Sequence, residues 1–202
     1  MSKRALEHLR AVDPKLGAII DRVGPYRPGR REQGTHFDAV VRSIVYQQLS
    51  GQAAGTIYDR VTAIYRDQPP TPAQLLRTPP ERLRAAGLSG RKVEYVQALA
   101  AQVKAGTLPI ESLHELDDDA VIDALTQVKG IGRWTAQMFL MFRLKRPDVL
   151  AELDLGLQKG LQKVHGLRTR PSPERLLKLG ARWSPWRSVA AWYLWRSLEL
   201  DD

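Results

Sequence analysis

The sequence predicts an all-α fold. Apolar residues recur at helical spacing along nearly the whole chain, as in the stripe that starts at Phe37 and ends at the polar Gln48. Proline and glycine interrupt these stripes at short intervals, which is typical of short helices joined by turns. The chain has no convincing run of alternating, β-branched residues bounded by turn residues, which is the pattern of a strand. We therefore expect a compact globule of many short helices.

Apolar stripes and capping residues locate the helices in chain order. Two stripes before residue 24 predict two N-terminal helices, and Asp13-Pro14 between them has the pattern of an N-cap followed by proline at the first helical position. Thr71-Pro72 and Thr78-Pro79 repeat this pattern. Further helices are predicted over 37–48, 93–103, 119–126, 134–144, 155–164 and 189–196, with one more opened by Arg170–Pro173 and a loop at Gly24–Gly29.

The composition restricts the kind of function. The 202 residues include 31 Lys and Arg against 22 Asp and Glu, a net charge of +9, and no cysteine. The basic excess indicates a polyanionic partner, in the first place nucleic acid. The lack of cysteine excludes disulfides, thiolate zinc sites, iron–sulfur clusters and a cysteine nucleophile. The histidines have no metal-ligand spacing, so we expect no metal held by side chains, with a carboxylate Mg²⁺ site left open.

The start of the chain is polar, and no apolar run reaches the roughly 18 residues of a membrane span. We therefore expect an intracellular protein without a signal peptide.

A glycine pair marks the boundary between two predicted helices. Gly130-Ile131-Gly132 lies between the helix expected to end at Thr126 and the one expected to begin at Trp134. Two glycines around one apolar residue allow a tight hairpin with positive φ angles and a close approach of backbone to a ligand. N–H groups at the start of a helix suit a DNA phosphate, a contact that gives position without sequence preference. The alternative is a simple helix cap, with the isoleucine in the core.

The residues around this glycine pair resemble a known family. Val128–Ala136, followed by Asp148-Val149 and Asp154–Gln158, is similar to the helix–hairpin–helix DNA glycosylase superfamily, and within it to the 3-methyladenine DNA glycosylase II branch. Other segments that agree with this branch are Ser43–Ser50, Ala86–Tyr95 and Trp183–Trp195. The resemblance runs from about residue 36 to the C-terminus. It implies an enzyme of base excision repair that flips an alkylated base out of duplex DNA and hydrolyses its N-glycosidic bond, leaving an abasic site.

The resemblance assigns the catalytic carboxylate to Asp154, which lies 20 residues after Trp134. A fixed carboxylate stabilises the positive charge that develops on the sugar as the bond breaks, and it can orient the attacking water. Asp154 is also placed to be the N-cap of the next helix, and the two roles are compatible. Where the family often has proline and a second aspartate, this chain has Ala151-Glu152-Leu153, so Glu152 and Asp148 are alternatives ranked below Asp154.

Lyases of this superfamily carry a lysine where this chain has Trp134, and that lysine attacks the sugar to form a Schiff base. Tryptophan cannot be that nucleophile, and Lys129, before the hairpin, is expected to face solvent or phosphate. We therefore expect a monofunctional glycosylase. The alternatives are a bifunctional glycosylase/lyase and a non-catalytic DNA-binding protein that uses the same hairpin.

The resemblance places Trp134 and Trp195 in the pocket for the flipped base, with Tyr46, Met138 and Trp192 as further members. Alkylation at purine N3 or N7 gives the base a positive charge, which an indole face stabilises by up to about 2 kcal/mol. Met138 stands where the family often has an aromatic residue, so a flexible side chain replaces a flat one. The other C-terminal tryptophans, Trp183 and Trp186, are expected in the core.

The wedge that fills the gap left by the base is assigned to Leu49, and Gln48 is expected to contact either the opposite strand or the bases beside the gap. The alternative for Leu49 is an apolar contact at a helix C-terminus. Phosphate contacts are expected from Lys129, Gly130, Gly132, Arg133 and Thr135, with Arg91 and Lys92 as further basic candidates. Carbonyl oxygens of the hairpin could bind a monovalent cation, and no other cofactor is expected.

The family fold consists of two helical lobes with the active-site cleft between them. We assign 37–145, with the hairpin motif at about 119–144, to the central lobe, and 1–36 with 146–202 to the second lobe, which carries Asp154. The N-terminal segment is expected to be helical, without the β domain of longer relatives. We expect a monomer that acts on double-stranded DNA with alkylated bases, associated with the nucleoid in the cytoplasm of a bacterium.

Overall fold

The computed structural model describes residues 2–28 and 34–201, and over those residues it is helical without any β-strand, so the all-α prediction is confirmed. Its α-helices are α1 (Ser2–Val12), α2 (Pro14–Val23), α3 (His36–Tyr46), α4 (Gly51–Ala63), α5 (Pro72–Arg77), α6 (Pro80–Ala85), α7 (Gly90–Ala105), α8 (Asp118–Thr126), α9 (Arg133–Met138), α10 (Leu155–His165), α11 (Pro173–Gly180) and α12 (Arg187–Ser197). Short 3₁₀ helices occupy Ile110–Glu115 and Ala181–Trp183, and a π-helical turn occupies Phe139–Arg143. Among the described residues, none of the helices has the length and apolarity that crossing a bilayer requires.

The chain divides into two compact units. Unit one comprises Met1–Arg30 and Lys145–Asp202, and unit two comprises Arg31–Leu144. Unit one therefore needs segments from both sides of unit two in the sequence, while unit two is continuous.

In unit one, α2, α10 and α12 pack on each other, with α1 against α2 and α11 against α10. Trp183 is fully buried, and its indole N–H donates to Asp13 Oδ2 at 2.9 Å. α10 and α12 approach closely at Gly160, where an added Cβ would lie 2.4 Å from the carbonyl oxygen of Leu194. A side chain at this position would push the two helices apart, so glycine sets their spacing.

In unit two, α3 is the central helix and packs against α4, α7 and α9. α5 and α6 pack against α7, and α8 packs against α9. Ile44, Leu99 and Leu125 are fully buried in this unit. Each such side chain stabilises the fold by about 2 kcal/mol through removal of apolar surface from water.

Two of the three predicted pairs of N-cap residue and proline begin helices. Asp13 and Thr71 are N-caps as predicted, each accepting a hydrogen bond from a backbone N–H three residues further on. The prediction for Thr78 is wrong, because α6 starts one residue later, at Pro80. The Thr78 hydroxyl instead forms a hydrogen bond with the Tyr65 hydroxyl at 2.8 Å.

Two helices begin or end at other residues than their apolar stripes predict. α3 ends at Tyr46, and Gln48 has a φ of +60°, so Gln48 does not belong to the helix. The helix predicted over 134–144 starts at Arg133 and changes to π geometry at Phe139. The predicted loop Gly24–Gly29 is present over 24–28, and Gly29 lies outside the described residues.

Candidate functional site

The hairpin lies between α8 and α9, and its two glycines differ in what they permit. Gly130 has a φ of +88°, and an added Cβ would lie 2.2 Å from the ring of Tyr95 on α7. The fold itself therefore needs glycine at this position. Gly132 has an ordinary φ of −95°, and a Cβ there would meet no heavy atom of the described residues within 4 Å. Glycine at 132 leaves open space in which a ligand can approach the backbone.

Several of the side chains predicted to bind phosphate have partners within the protein, Lys129 and Thr135 among them. Lys129 Nζ lies 2.8 Å from Glu94 Oε2, and this hydrogen bond raises the pKa of Lys129. Thr135 is buried, and its hydroxyl accepts a hydrogen bond from Gln47 Nε2 at 3.2 Å. A buried hydroxyl does not reach a phosphate, so only the backbone N–H of Thr135 is left for that contact. Arg133 is exposed at the start of α9.

The loop between α3 and α4 presents an apolar tip. Leu49 is 41% exposed and follows Gln48, whose backbone is in the left-handed region. The N–H of Leu49 donates to the carbonyl oxygen of Tyr46 at 3.3 Å, which closes the turn, and Ser50 then caps α4. An exposed leucine on a tight turn has the shape that insertion between bases requires.

Unit two contains a cavity of about 240 Å³ lined by α3, α9 and the π-helical turn. Three predicted pocket residues, Tyr46, Trp134 and Met138, line it together. The other lining residues are Ala39, Arg42, Ser43, Phe139, Phe142 and Arg143. Sequence reasoning missed Arg42, whose guanidinium lies 5.1 Å from the centre of the Tyr46 ring and donates to the Tyr46 hydroxyl at 3.3 Å. A single arginine on a helix gives no sign in the sequence that it faces a cavity.

Asp154, in unit one, is the N-cap of α10. Its Oδ1 accepts hydrogen bonds from the backbone N–H of Leu157 at 2.7 Å and from Trp195 Nε1 at 2.9 Å. A Cβ added at Gly156 would lie 2.9 Å from Trp195 Nε1, so this glycine makes room for the indole beside the carboxylate. The two hydrogen bonds hold the half-buried carboxylate in one orientation.

Asp148, one of the alternative carboxylates, has a structural task. It forms two hydrogen bonds with the Arg187 guanidinium, at 2.8 and 3.0 Å, and accepts a third from the Ser184 hydroxyl at 2.8 Å. Burial opposes its ionisation, but the hydrogen bonds from Arg187 and Ser184 outweigh burial and lower the pKa of Asp148. This side chain fixes the start of α12 and is a poor candidate for the reaction. For Glu152, the other alternative, the carbonyl oxygen accepts a hydrogen bond from Gln158 Nε2 at 2.9 Å.

Two exposed leucines flank Asp154, and the sequence pattern did not single them out. Leu153 is 51% exposed and Leu155 is 56% exposed. Large apolar side chains this exposed on both sides of a carboxylate form an apolar rim that a ligand can cover. Covering the rim would remove water from the carboxylate and strengthen its electrostatic effect.

Trp192 packs among aromatic residues of unit one. Its ring packs edge-on against Tyr26 and Tyr193, with ring centres 5.2 and 4.8 Å apart. It lines a second cavity, of about 620 Å³, in unit one together with Arg27 and Arg196. Trp183 is a core residue as predicted, while Trp186 is only half-buried.

No group of three or more His, Cys, Asp or Glu side chains suited to a metal ion occurs in the part of the chain that the structure describes.

The chain belongs to the HhH-GPD superfamily of base excision DNA repair proteins, whose sequence profile matches residues 41–185.

Relatives are similar over nearly the whole chain. The sequence is 36% identical over 198 residues to DNA-3-methyladenine glycosylase 1 of Schizosaccharomyces pombe, covering 96% of this chain and 87% of the relative. A solved structure of an S. pombe 3-methyladenine DNA glycosylase in complex with abasic DNA has a TM-score of 0.93 at 35% identity and covers 98% of both chains. The structure of a DNA-3-methyladenine glycosidase from Bacillus halodurans has a TM-score of 0.82 at 38% identity, covering 95% of this chain and 88% of that one.

Proposed function

We propose that this chain is a monofunctional DNA glycosylase that hydrolyses the N-glycosidic bond of alkylated bases in duplex DNA and leaves an abasic site. The observation that carries the proposal is the Asp154 carboxylate, oriented by Trp195 and by the first turn of α10. The names of the similar proteins, DNA-3-methyladenine glycosylases, support it. Unit two contains the hairpin, the aromatic cavity and the loop 47–50, which we call the wedge loop, and unit one contains the carboxylate.

The cavity of unit two is the proposed binding site for the extruded base. Extrusion costs a few kcal/mol of lost stacking and pairing, which is least for a damaged base. The aromatic rings of Trp134 and Tyr46 attract a base that carries a positive charge, as purines alkylated at N3 or N7 do. A cationic base is also a good leaving group, so the reaction needs no strong general acid. Leu49 fills the space that the base leaves in the stack.

The carboxylate acts on the sugar. As the bond to the base lengthens, positive charge develops on the sugar ring, and a negative charge held nearby lowers the energy of that state. Asp154 cannot turn away from this position without losing its hydrogen bonds to Leu157 and Trp195. The electron pair of the broken bond leaves with the base, which departs neutral. The oxygen of the attacking water then bonds to the sugar, and the same carboxylate takes the proton that this water loses.

Hydrolysis without strand cleavage is supported by the residues near the hairpin. A lyase needs an amine that attacks the sugar, and Trp134 has none. The ammonium of Lys129 is paired with Glu94. We therefore expect no borohydride-trapped enzyme–DNA adduct.

The test compares base release from methylated duplex DNA by the wild type and by Asp154→Asn, in single turnover at equal DNA occupancy. Loss of an oriented charge should slow release about 10²- to 10³-fold, while DNA binding is kept. Asp117→Asn is the matched control, since Asp117 is likewise an N-cap, of α8, and asparagine caps a helix as well as aspartate does. Full activity of Asp154→Asn would refute the assignment, and no release by the wild type would reduce the protein to a DNA-binding relative.

We further propose that the protein acts as a monomer and that carbonyl oxygens of the hairpin bind a monovalent cation when DNA is present. The carbonyl oxygen of Gly130 accepts a hydrogen bond from Gln47 at 3.1 Å, which leaves one of its two lone pairs for a cation. Sedimentation with and without DNA checks the first proposal. Exchange of K⁺ for tetramethylammonium, with loss of affinity expected, checks the second.

A further inference from the structure

Gln47 links the wedge loop to the hairpin. Its side-chain Nε2 donates to the carbonyl oxygen of Gly130 at 3.1 Å and to the hydroxyl of Thr135 at 3.2 Å. These two acceptors lie on either side of Gly132, and they are 83 and 88 residues further along the chain than Gln47. One amide group therefore spans the segment at which the hairpin backbone is open to a ligand.

Lys92 holds the same loop from another side. Its Nζ donates to the carbonyl oxygens of Val45 and Gln47 at 2.7 and 2.8 Å. The ammonium is partly buried, and burial lowers the pKa of Lys92. A positive charge at the end of a helix stabilises its last carbonyl groups, which explains why α3 ends where it does. The phosphate contact expected of Lys92 is replaced by this internal role.

The wedge loop, which Gln47 and Lys92 hold in place, has a strained backbone. Gln48 adopts a φ of +60°, a conformation that costs energy for any residue with a Cβ. Such a residue persists only where its surroundings determine its position. The preceding residue is fixed at both its carbonyl oxygen and its side chain, and the exposed Leu49 follows directly.

α7 contacts both the wedge loop and the hairpin. Tyr95 lies one turn after Lys92 on this helix, and its ring occupies the space in front of Gly130. The first two turns of α7 therefore contact both the wedge loop and the hairpin, so that the two loops share one support within unit two.

We propose that Gln47 and Lys92 are positioning residues that fix the distance between the Leu49 tip and the hairpin. Binding of a phosphate at the hairpin then places the wedge at a set step along the strand. This inference rests on the proposed function, since it assumes that Leu49 enters the base stack. Neither Gln47 nor Lys92 needs to touch DNA.

The experiment is a double-mutant cycle between Gln47→Met and Leu49→Ala. Methionine keeps the length of the side chain and removes the N–H donors. One readout is single-turnover release of methylated purine, and the other is the fluorescence of 2-aminopurine placed beside a tetrahydrofuran abasic analogue. The second readout reports unstacking without any chemistry. We expect Gln47→Met to slow release about tenfold to a hundredfold, because an ångström of misplacement has effects of this size.

If Gln47 acts through the wedge, Gln47→Met has little further effect on either readout once Leu49 is alanine. Independent, additive losses in the cycle would overturn the proposal. Gln97→Met is the matched control, because the Gln97 amide also donates to a backbone carbonyl, that of Thr78 at 3.3 Å, away from both the wedge loop and the hairpin. Both glutamine variants should keep their affinity for undamaged duplex within about threefold.

Lys92 provides a second, independent variant. Lys92→Arg keeps a donor for the two carbonyl oxygens and should restore most of the fluorescence change that Lys92→Met loses. Thermal denaturation first checks that wild type and Lys92→Met are both folded. Equal 2-aminopurine fluorescence from the two proteins would then contradict the positioning role of Lys92. If the wild type releases no base but the 2-aminopurine cycle is non-additive, the proposed function fails and the positioning role stands.

Discussion

A methyl group added at Gly130 would enter the ring of Tyr95, whereas one added at Gly132 would point into open space with respect to the described residues. We expect Gly130→Ala to lower the free energy of unfolding by about 2–4 kcal/mol, from overpacking and an unfavourable φ. Gly132→Ala should change it by less than about 0.5 kcal/mol. Urea denaturation measures both. Similar losses for the two variants would show that the hairpin glycines are equivalent after all.

Gly132→Ala, which should leave the free energy of unfolding unchanged, is the variant that tests DNA binding. If the space in front of Gly132 admits a phosphate, a methyl group there lowers duplex affinity although the fold is intact. Fluorescence anisotropy with a labelled duplex detects this loss.

The indole N–H of Trp195 can be separated from its aromatic ring. Trp195→Phe keeps an aromatic face but loses the hydrogen bond to Asp154 Oδ1. A hydrogen bond to a charged group contributes about 1.5–3 kcal/mol, so we expect base release to slow by about tenfold or more. Single-turnover kinetics on methylated DNA measure it. Unchanged release by Trp195→Phe would mean that the N-cap contact to Leu157 alone orients the carboxylate.

At the scale of the helix, α10 is held at both ends by carboxylates. Asp154 caps its start, and His165 in its last turn lies 3.2 Å from Asp13 Oδ2. Burial alone would raise the pKa of Asp13. The nearby His165 ring and the hydrogen bonds from the Leu16 N–H and Trp183 outweigh burial and lower the pKa to about 2.

Stability should therefore respond to acid through Asp13. A carboxyl group whose pKa is lower in the folded state stabilises the protein above its unfolded-state pKa, and this contribution is lost as the pH falls from about 4 to 2. The shift corresponds to about 2 kcal/mol for this buried group. In urea denaturation at several pH values, Asp13→Asn should be the less stable protein at pH 7, and its curve should approach that of the wild type on acidification. Parallel curves would contradict this account.

Local patterns predicted most of the helices, and of two failures one has a long-range cause and the other a local one. The apolar stripe of α3 continues to Gln48, but Lys92 binds the carbonyl oxygens of Val45 and Gln47 and the helix stops earlier. Two consecutive prolines allow either of them to open α6, so Thr78 could not be assigned from the local pattern.

In the candidate site, too, contacts within one helix could be predicted from the sequence, and contacts between distant residues could not. Trp134 and Met138 are one helical turn apart, so their shared face could be predicted. The hydrogen bond from Trp195 to Asp154 joins residues 41 positions apart, and that from Gln47 to Gly130 joins residues 83 apart. No periodicity indicates such pairs. The resemblance to a family named Asp154 and Trp195 individually, and only the fold shows that they touch.

At the scale of the whole molecule, the net charge of +9 predicts a salt-dependent affinity for DNA. Each phosphate contact contributes about −0.9 to the slope of log K against log salt. We expect Arg133→Ala to make this slope shallower by about one unit. Lys104→Ala is the control, because this lysine lies far from the hairpin. It is in the last turn of α7, about 18 Å along the helix from Lys92, whereas the first two turns of α7 are the ones that contact the hairpin. Equal slopes for the wild type and Arg133→Ala would exclude a phosphate contact at Arg133.

The division of the chain has a consequence for its synthesis on the ribosome. Unit two is continuous, while unit one requires residues from before and after it. Domains generally fold in the order in which they emerge. The unit with the hairpin and the cavity can therefore form before Asp154 and Trp195 have been translated. A chain terminated after unit two would therefore carry the hairpin and the cavity without the carboxylate.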